Sequence, residues 1–440
     1  MTTITQVAQA MQTVLTEVAD EVARRTGFVR RRSKLTGAKF CQTLVWGWLA
    51  NPQASLEELA QTAALVGAPI SPQAIDQRFS PTAAACLKQV LDETVKQVIT
   101  ATPAQLAILQ RFNGVYLQDS STVVLPDALS QVWLGCGGRA AMSTAALKLQ
   151  VRIDMAGGRL SGPYLQAGRA HDRTADIQTA PLPSGALRLA DLGYWSLAVL
   201  QAMDAAGVFW LSRLHLQTAV FDAAGQPLNL VTWLQAQTGS RIEVKVHLGV
   251  AHHLPARLLA VRLPQEMADL RRMRLKDEAR RRGHMVSPAR LKLADWNLFV
   301  TNVPVELLTL DEAVVVIRMR WQVELIFKLW KSHGHLDDWR SQKPWRILCE
   351  VYAKLIAVVL QHWVFLVGCW QYPNRSLFKA AQTVQKYAWH LAASLGYPAQ
   401  LQQALAVIER CLAAGCRINK RKKAPHTYQR LLALTDGGLG

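Results

Sequence analysis

Acidic residues are in short supply: the 440-residue chain has 31 Asp and Glu against 50 Lys and Arg, a formal net charge of +19. An imbalance of that size points to a polyanionic partner, either nucleic acid or an anionic membrane face. Paired cysteines are also missing. The seven thiols are odd in number, scattered, and without CxxC spacing, which excludes a disulfide framework or a zinc cage and reads as reduced Cys in a cytosolic compartment. No basic stretch followed by an apolar core opens the chain, so no secretory signal is expected. Neither GxxxxGK[ST] nor GxSxG occurs. The GCGG at 135–138 therefore gives no support for ATP binding, and no nucleophile elbow is present. His252, His253, His333 and His335 lack a Cys or His partner at metal-ligand spacing. Only one long apolar run stands out, VYAKLIAVVLQHWVFLVGCW at 351–370, and Lys354, Gln361 and His362 within it would be costly in lipid. It reads as a buried helix of a globular domain.

The basic residues gather in three places: Arg30, Arg31 and Arg32 with Lys34, the run 271–284, and NKRKK at 419–423. Each alone is as consistent with a solvated face as with a binding patch; together, on a net-basic chain, they favour nucleic acid. Residues 3–100 show helical apolar spacing with short connectors. Ser55 and Glu58 have capping-box spacing, Gly67 breaks the chain, and Ser71-Pro72 restarts it. That is the outline of a helix-turn-helix, whose second helix would present Gln73, Gln77 and Arg78 to a DNA groove. Two packed helices with no DNA role would look the same.

After residue 110 the pattern turns to short β runs: 114–118, a hairpin over 146–168 around Gly157-Gly158, 187–191, 208–214, several within 215–264, and 296–303. Helices are expected near 195–206, 265–282, around Glu324, and from 346 onward. Asp119 and Asp191 each follow one of these runs directly, at the strand edge where α/β sheets expose functional groups. A turn-forming Asp is the plain alternative. In RMRWQVELIFKLWK (318–331), an α-helical phase puts Arg320, Glu324, Phe327 and Lys331 within an arc of about 60°, beside an apolar stripe. An i,i+4 ion pair would account for Glu324 by itself, but not for the two acids ending strands upstream. Three separated carboxylates on one mixed core can hold two divalent ions about 4 Å apart for in-line attack on a phosphodiester. Hard oxygen ligands suit Mg²⁺.

These residues resemble the signature of bacterial insertion-sequence transposases of the DDE type, in the IS-four family: Tyr-x2-Arg-x3-Glu-x6-Lys on one helix. Arg320, Glu324 and Lys331 fit its last three terms, while Ile317 stands where the family has Tyr. Asp119 in QDSST and Asp191 in ADLGYW are similar to the family's first and second Asp. The similarity runs from about 110 to 345. It implies an α/β, RNase H-like catalytic core with a β-rich insertion, flanked by N-terminal and C-terminal helical domains. The expected segments are a DNA-binding domain at 1–105, core at 106–214, insertion with a basic helix at 215–293, core at 294–345, and a C-terminal domain at 346–440 for dimerisation.

Carried over residue by residue, the resemblance makes Asp119, Asp191 and Glu324 the catalytic acids and ligands of two Mg²⁺ ions, with Mn²⁺ as substitute. It makes Arg320 and Lys331 contacts to DNA phosphate, and Trp296 a stacking surface for a base flipped out during hairpin formation. The implied activity is end cleavage and strand transfer in cut-and-paste transposition by a homodimer. The implied partners are double-stranded terminal repeats and target DNA, with no membrane, in the bacterial cytoplasm at the nucleoid. An RNase H-like nuclease without strand transfer, and a transposase-derived DNA-binding protein with decayed catalysis, stay open beside it; Ile317 gives the second some footing.

Overall fold

The computed structural model describes residues 2–31, 33–136, 144–423 and 425–435. Arg32 of the first basic cluster, and Gly137 and Gly138 of the GCGG stretch, lie outside the described residues. The chain divides into two compact units built from separated segments. The first takes Met1–Leu109, Gln118–Ala170 and Trp321–Leu432; the second takes Gln110–Leu117, His171–Arg320 and Ala433–Gly440.

At the centre of the first unit is the helix Pro344–Gly368, begun by a proline at its first turn. It is long and apolar enough to cross a membrane, yet its most apolar window is wholly buried inside the protein. A helix apolar all round needs cover all round. Helices Thr3–Thr13, Gly37–Ala50, Pro81–Lys96, Leu377–Ser394 and Pro398–Ala414 supply it. Helices from both ends of the chain therefore share one core, where chain order had suggested separate domains at 1–105 and 346–440. The polar residues on this helix find internal partners. Lys354 pairs with Glu350 at 2.8 Å and donates to the carbonyls of His335 and Asp338. The His362 ring shares a 2.7 Å hydrogen bond with the Gly158 carbonyl, so its Nε2 is the donor.

Strand β1 (Val115–Leu125) enters this unit at Gln118 and is followed by β2 (Ala145–Asp154) and β3 (Leu160–Ala167), in the order β3-β2-β1. β2 and β3 form the expected antiparallel hairpin. Its turn is held by the Asp154 carboxylate, which accepts from the Ala156 and Gly157 amides. Gly158 there has φ +74°, and a Cβ on it would collide with Leu366 and Trp370 of the adjacent helical layer.

The second unit holds β4 (Leu187–Ala190), β5 (Phe209–Arg213), β6 (Val220–Phe221), β7 (Arg241–Leu248), β8 (Leu254–Arg262) and β9 (Trp296–Thr301). The order from the start of β1 is β1-β4-β5-β9-β8-β7-β6. β4 and β5 are parallel, connected through the helix Leu197–Ala205; the strands from β5 outward pair antiparallel. The segment read as a β-rich insertion thus prolongs this sheet, packing Val246, Leu248 and Leu258 with Val300, Trp210 and Leu200. Arg257, buried on β8, pairs with Glu243 and donates to the carbonyls of Val303 and Leu308. Asn302 accepts from the Trp210 amide and donates to Asp204 and the Val208 carbonyl. Together they pin the connection leaving β9.

Candidate active site

β1 shows how an acid comes to lie in a packed sheet. Val115, Leu117, Val123 and Leu125 form its buried alternate row, and Asp119 and Ser121 occupy the same row, half-buried. The strand expected to end at 118 continues to Leu125, so Asp119 lies within β1 and not at its edge. The QDSST stretch has the polarity of a turn, but ladder pairing holds it extended. The Asp119 carboxylate accepts from the Ser120 amide at 2.8 Å.

Asp191 follows β4 directly, as expected. It opens the single-turn helix Leu192–Tyr194, and the Tyr194 amide donates to its backbone carbonyl at 3.0 Å. Its carboxylate makes no capping bond to that turn and is half-exposed, with the Arg320 guanidinium 4.0 Å away. At that separation the contact is a loose ion pair rather than a hydrogen bond.

Glu324 corrects the helical phase read from the sequence. The stretch from Leu310 is broken: an α-helix runs Leu310–Val316, a tighter 3-10 turn spans Ile317–Arg320, and a new α-helix covers Trp321–Ser332. The break follows Val314-Val315-Val316-Ile317, four successive β-branched residues with low helix propensity. Arg320 ends the 3-10 turn, while Glu324 and Lys331 lie on the α-helix that follows. Glu324 falls in the first turn of its helix, where the partial positive charge of the helix N-terminus favours a carboxylate. Ile317 is 9% exposed and Met319 is fully buried, so the position given to Tyr by the resemblance is an apolar packing position.

Lys331, in the last turn of the same helix, donates to the Thr122 carbonyl of β1 at 2.7 Å. Trp321 and Leu325 of this helix stand 56% and 52% exposed, an outward aromatic that helical phase on the unbroken segment did not single out.

Trp296 begins β9, as the run expected at 296–303 has it. The ring is 6% exposed, sits in the core cluster, and carries the Arg262 guanidinium 4.6 Å above it. That packing seats the ring in the core of the second unit, where it also lines two open cavities.

The expected second DNA-reading helix is also short: Pro72–Asp76, capped by Ser71. Five residues make about 7.5 Å of helix, too little to lie along a major groove. Gln73 and Gln77 remain exposed and Arg78 half-buried. The two glutamines line an open cavity of about 520 Å³ with Ser55, Asp76, Arg340 and Arg346. The capping box at Ser55 and Glu58 is present as read.

Among the described residues no group of three His, Cys, Asp or Glu side chains stands close enough to hold a metal ion. The donor chemistry of Asp119, Asp191 and Glu324, three carboxylates without a thiol or imidazole, is nonetheless that of a hard divalent ion.

Residues 111–360, more than half of the chain, match the family described as Transposase DDE domain. That segment contains Asp119, Asp191, Arg320, Glu324 and Lys331. The chain is 30% identical over 362 residues to the transposase for insertion sequence element IS231C of Bacillus thuringiensis subsp. berliner, covering 78% of this chain and 75% of that protein. It is 28% identical over 375 residues to the transposase for IS231F of Bacillus thuringiensis subsp. israelensis, covering 80% and 78%. With the transposase for IS1151 of Clostridium perfringens it shares 24% identity over 372 residues, covering 78% and 76%. A domain of this kind acts on DNA by nuclease and strand-transfer chemistry and works with divalent metal ions. On these matches the chain belongs to the DDE-domain transposases of bacterial insertion sequences, and its function is DNA transposition.

Proposed function

We propose that Asp119, Asp191 and Glu324 are the metal-binding catalytic acids of this transposase, and that it cuts the ends of its element and joins them to target DNA with two Mg²⁺ ions. The observation that carries the reading is the bond from Lys331 to Thr122, which ties the Glu324 helix to the strand bearing Asp119. Seven residues of helix separate Glu324 from Lys331, a rise of about 10 Å. Three residues of strand separate Asp119 from Thr122, again about 10 Å. That bond joins the helix that carries Glu324 to the strand that carries Asp119.

Bound Mg²⁺ would supply Lewis-acid stabilisation of phosphodiester oxygens and an activated water or 3′ hydroxyl. The chain's own part is charge and position. Carboxylates from a strand, a strand-end turn and a helix N-terminus offer the hard oxygens. Arg320 offers a cation to phosphate once DNA competes for it, and Trp321 an exposed aromatic surface on which an unpaired base can stack. The second acid makes no capping bond to its own turn and is half-exposed beside Arg320. Cutting two ends together calls for two copies, so the active species is a homodimer on paired terminal repeats.

The test is nicking of a supercoiled plasmid carrying the element and its flanking ends, with Mg²⁺ or Mn²⁺. Wild type is expected to nick at the ends and form strand-transfer products. Asp119→Ala, Asp191→Asn and Glu324→Gln are each expected to lose cleavage while still binding the ends. Undiminished nicking by Asp119→Ala would refute the assignment, and nicking without joined products would reduce the enzyme to a nuclease.

A further inference from the structure

Asp191 gets its place from a turn, and a turn needs something to hold it. Behind this one lies a buried polar network that the catalytic reading does not use. Gln178, fully buried in the short helix Asp176–Thr179, donates through its side-chain amide to the Tyr194 carbonyl at 2.7 Å. Its other side-chain atom, the amide oxygen, accepts from Arg188 on β4. Arg188 is 3% exposed, and its guanidinium lies 5.9 Å from the centroid of the buried Tyr194 ring. The turn's middle residue is closed in as well: a Cβ on Gly193 would come within 3.0 Å of the Asp172 carboxylate.

Burying a guanidinium and a primary amide is costly unless their hydrogen bonds are made. Here the Gln178 amide reaches the last residue of the turn that Asp191 begins, and Arg188 bonds Gln178 from the strand that feeds that turn. We infer that Gln178 and Arg188 are positioning residues for Asp191: through Tyr194 they hold the turn so that the carboxylate keeps one orientation for a divalent ion. This rests on the reading of Asp191 as a metal ligand. Neither residue touches the reacting atoms.

The test uses the full chain and two readouts. One is the Mn²⁺ concentration giving half-maximal cleavage of the plasmid carrying the element's ends. The other is backbone amide exchange in the segment 191–195 without metal. Gln178→Leu removes both bonds; Gln178→Glu keeps an oxygen for Arg188 and nearly the same volume, but no N–H for the Tyr194 carbonyl. Both variants are expected to exchange faster at 191–195. Both should need roughly 10- to 100-fold more Mn²⁺, the usual effect of losing a group that orients a metal ligand, with end binding unchanged. Should Gln178→Leu fail to fold, Gln178→Glu carries the test. Wild-type exchange or wild-type Mn²⁺ dependence in Gln178→Glu overturns the inference. Asp191→Asn separates the two readings. If it cleaves like wild type, the ligand reading fails and the positioning role with it. If it is inactive while the Gln178 variants behave as wild type, only the positioning role fails.

Discussion

Replacing Lys354 with Met should destabilise the first unit more than any single surface change. The Lys354 side chain is 2% exposed and that of Glu350 4%, at 2.8 Å from each other. Burial pushes the Glu350 carboxyl up and the Lys354 ammonium down, and in each case the partner opposes the shift. Lys354 also donates to the carbonyls of His335 and Asp338, at 2.8 and 2.9 Å, so its three N–H groups all have acceptors. Methionine keeps much of the volume but leaves a buried carboxylate without its cation and two carbonyls without a donor. Breaking one side of a buried pair costs about 3–5 kcal/mol, a large part of the roughly 5–15 kcal/mol that holds a typical domain folded. Lys354→Met with Glu350→Leu removes the stranded charge and leaves only the carbonyls, so the loss should fall to about 1–3 kcal/mol. Urea unfolding at 25 °C and pH 7, followed by circular dichroism, measures both. Amide exchange over 333–340, the segment that follows the Glu324 helix, should rise in the single variant. A single variant within about 1 kcal/mol of wild type, or a double variant no better than the single, would refute the reasoning.

Three other outcomes are expected. Burial lowers His362 from the ordinary 6.5 to about 4, so the unfolded chain takes up a proton between those values that the folded one refuses. Its contribution is fully present above pH 6.5 and falls by roughly 3 kcal/mol as pH drops to 4; the difference between wild type and His362→Gln in urea midpoints across that range isolates it. Trp321→Ala should weaken binding of the element's ends by about 1–3 kcal/mol; unchanged affinity in a gel-shift titration would count against a stacking role. Ile317→Tyr restores the signature residue of the family, but into a position only 9% exposed, so it should cost about 1–3 kcal/mol of stability; a variant as stable as wild type would show that the turn can open to admit the ring.

Much of this protein can be read locally. Short β runs and the Gly157-Gly158 turn marked the β2-β3 hairpin, β5, β7 and β9, and Ser55 with Glu58 marked a capped helix, because each depends on neighbours a few residues away. Asp191 at a strand end was legible for the same reason. Asp119 was placed at an edge because QDSST is polar, and only ladder pairing carries β1 on through it. The helix at 318–331 was read as continuous because no glycine or proline interrupts it, while the competition among Val314 to Ile317 for buried positions tightens the turn before Trp321. Trp296 and Trp321 have equal claims as aromatics near the signature; their exposures, 6% and 56%, come from packing alone.

The sequence by itself determined the acids, their spacing to Arg320 and Lys331, the net basic charge, and so the class of chemistry, since ionisable groups and periodicities are properties of the chain. Tertiary structure decided which of those groups are tied down: Lys331 to the Thr122 carbonyl, Arg320 beside Asp191, Gln178 beneath Tyr194. It also decided that helices more than 300 residues apart in the chain share one core. A hydrogen bond between distant segments leaves no local pattern, and burying a 25-residue apolar helix takes surface from wherever the chain can supply it.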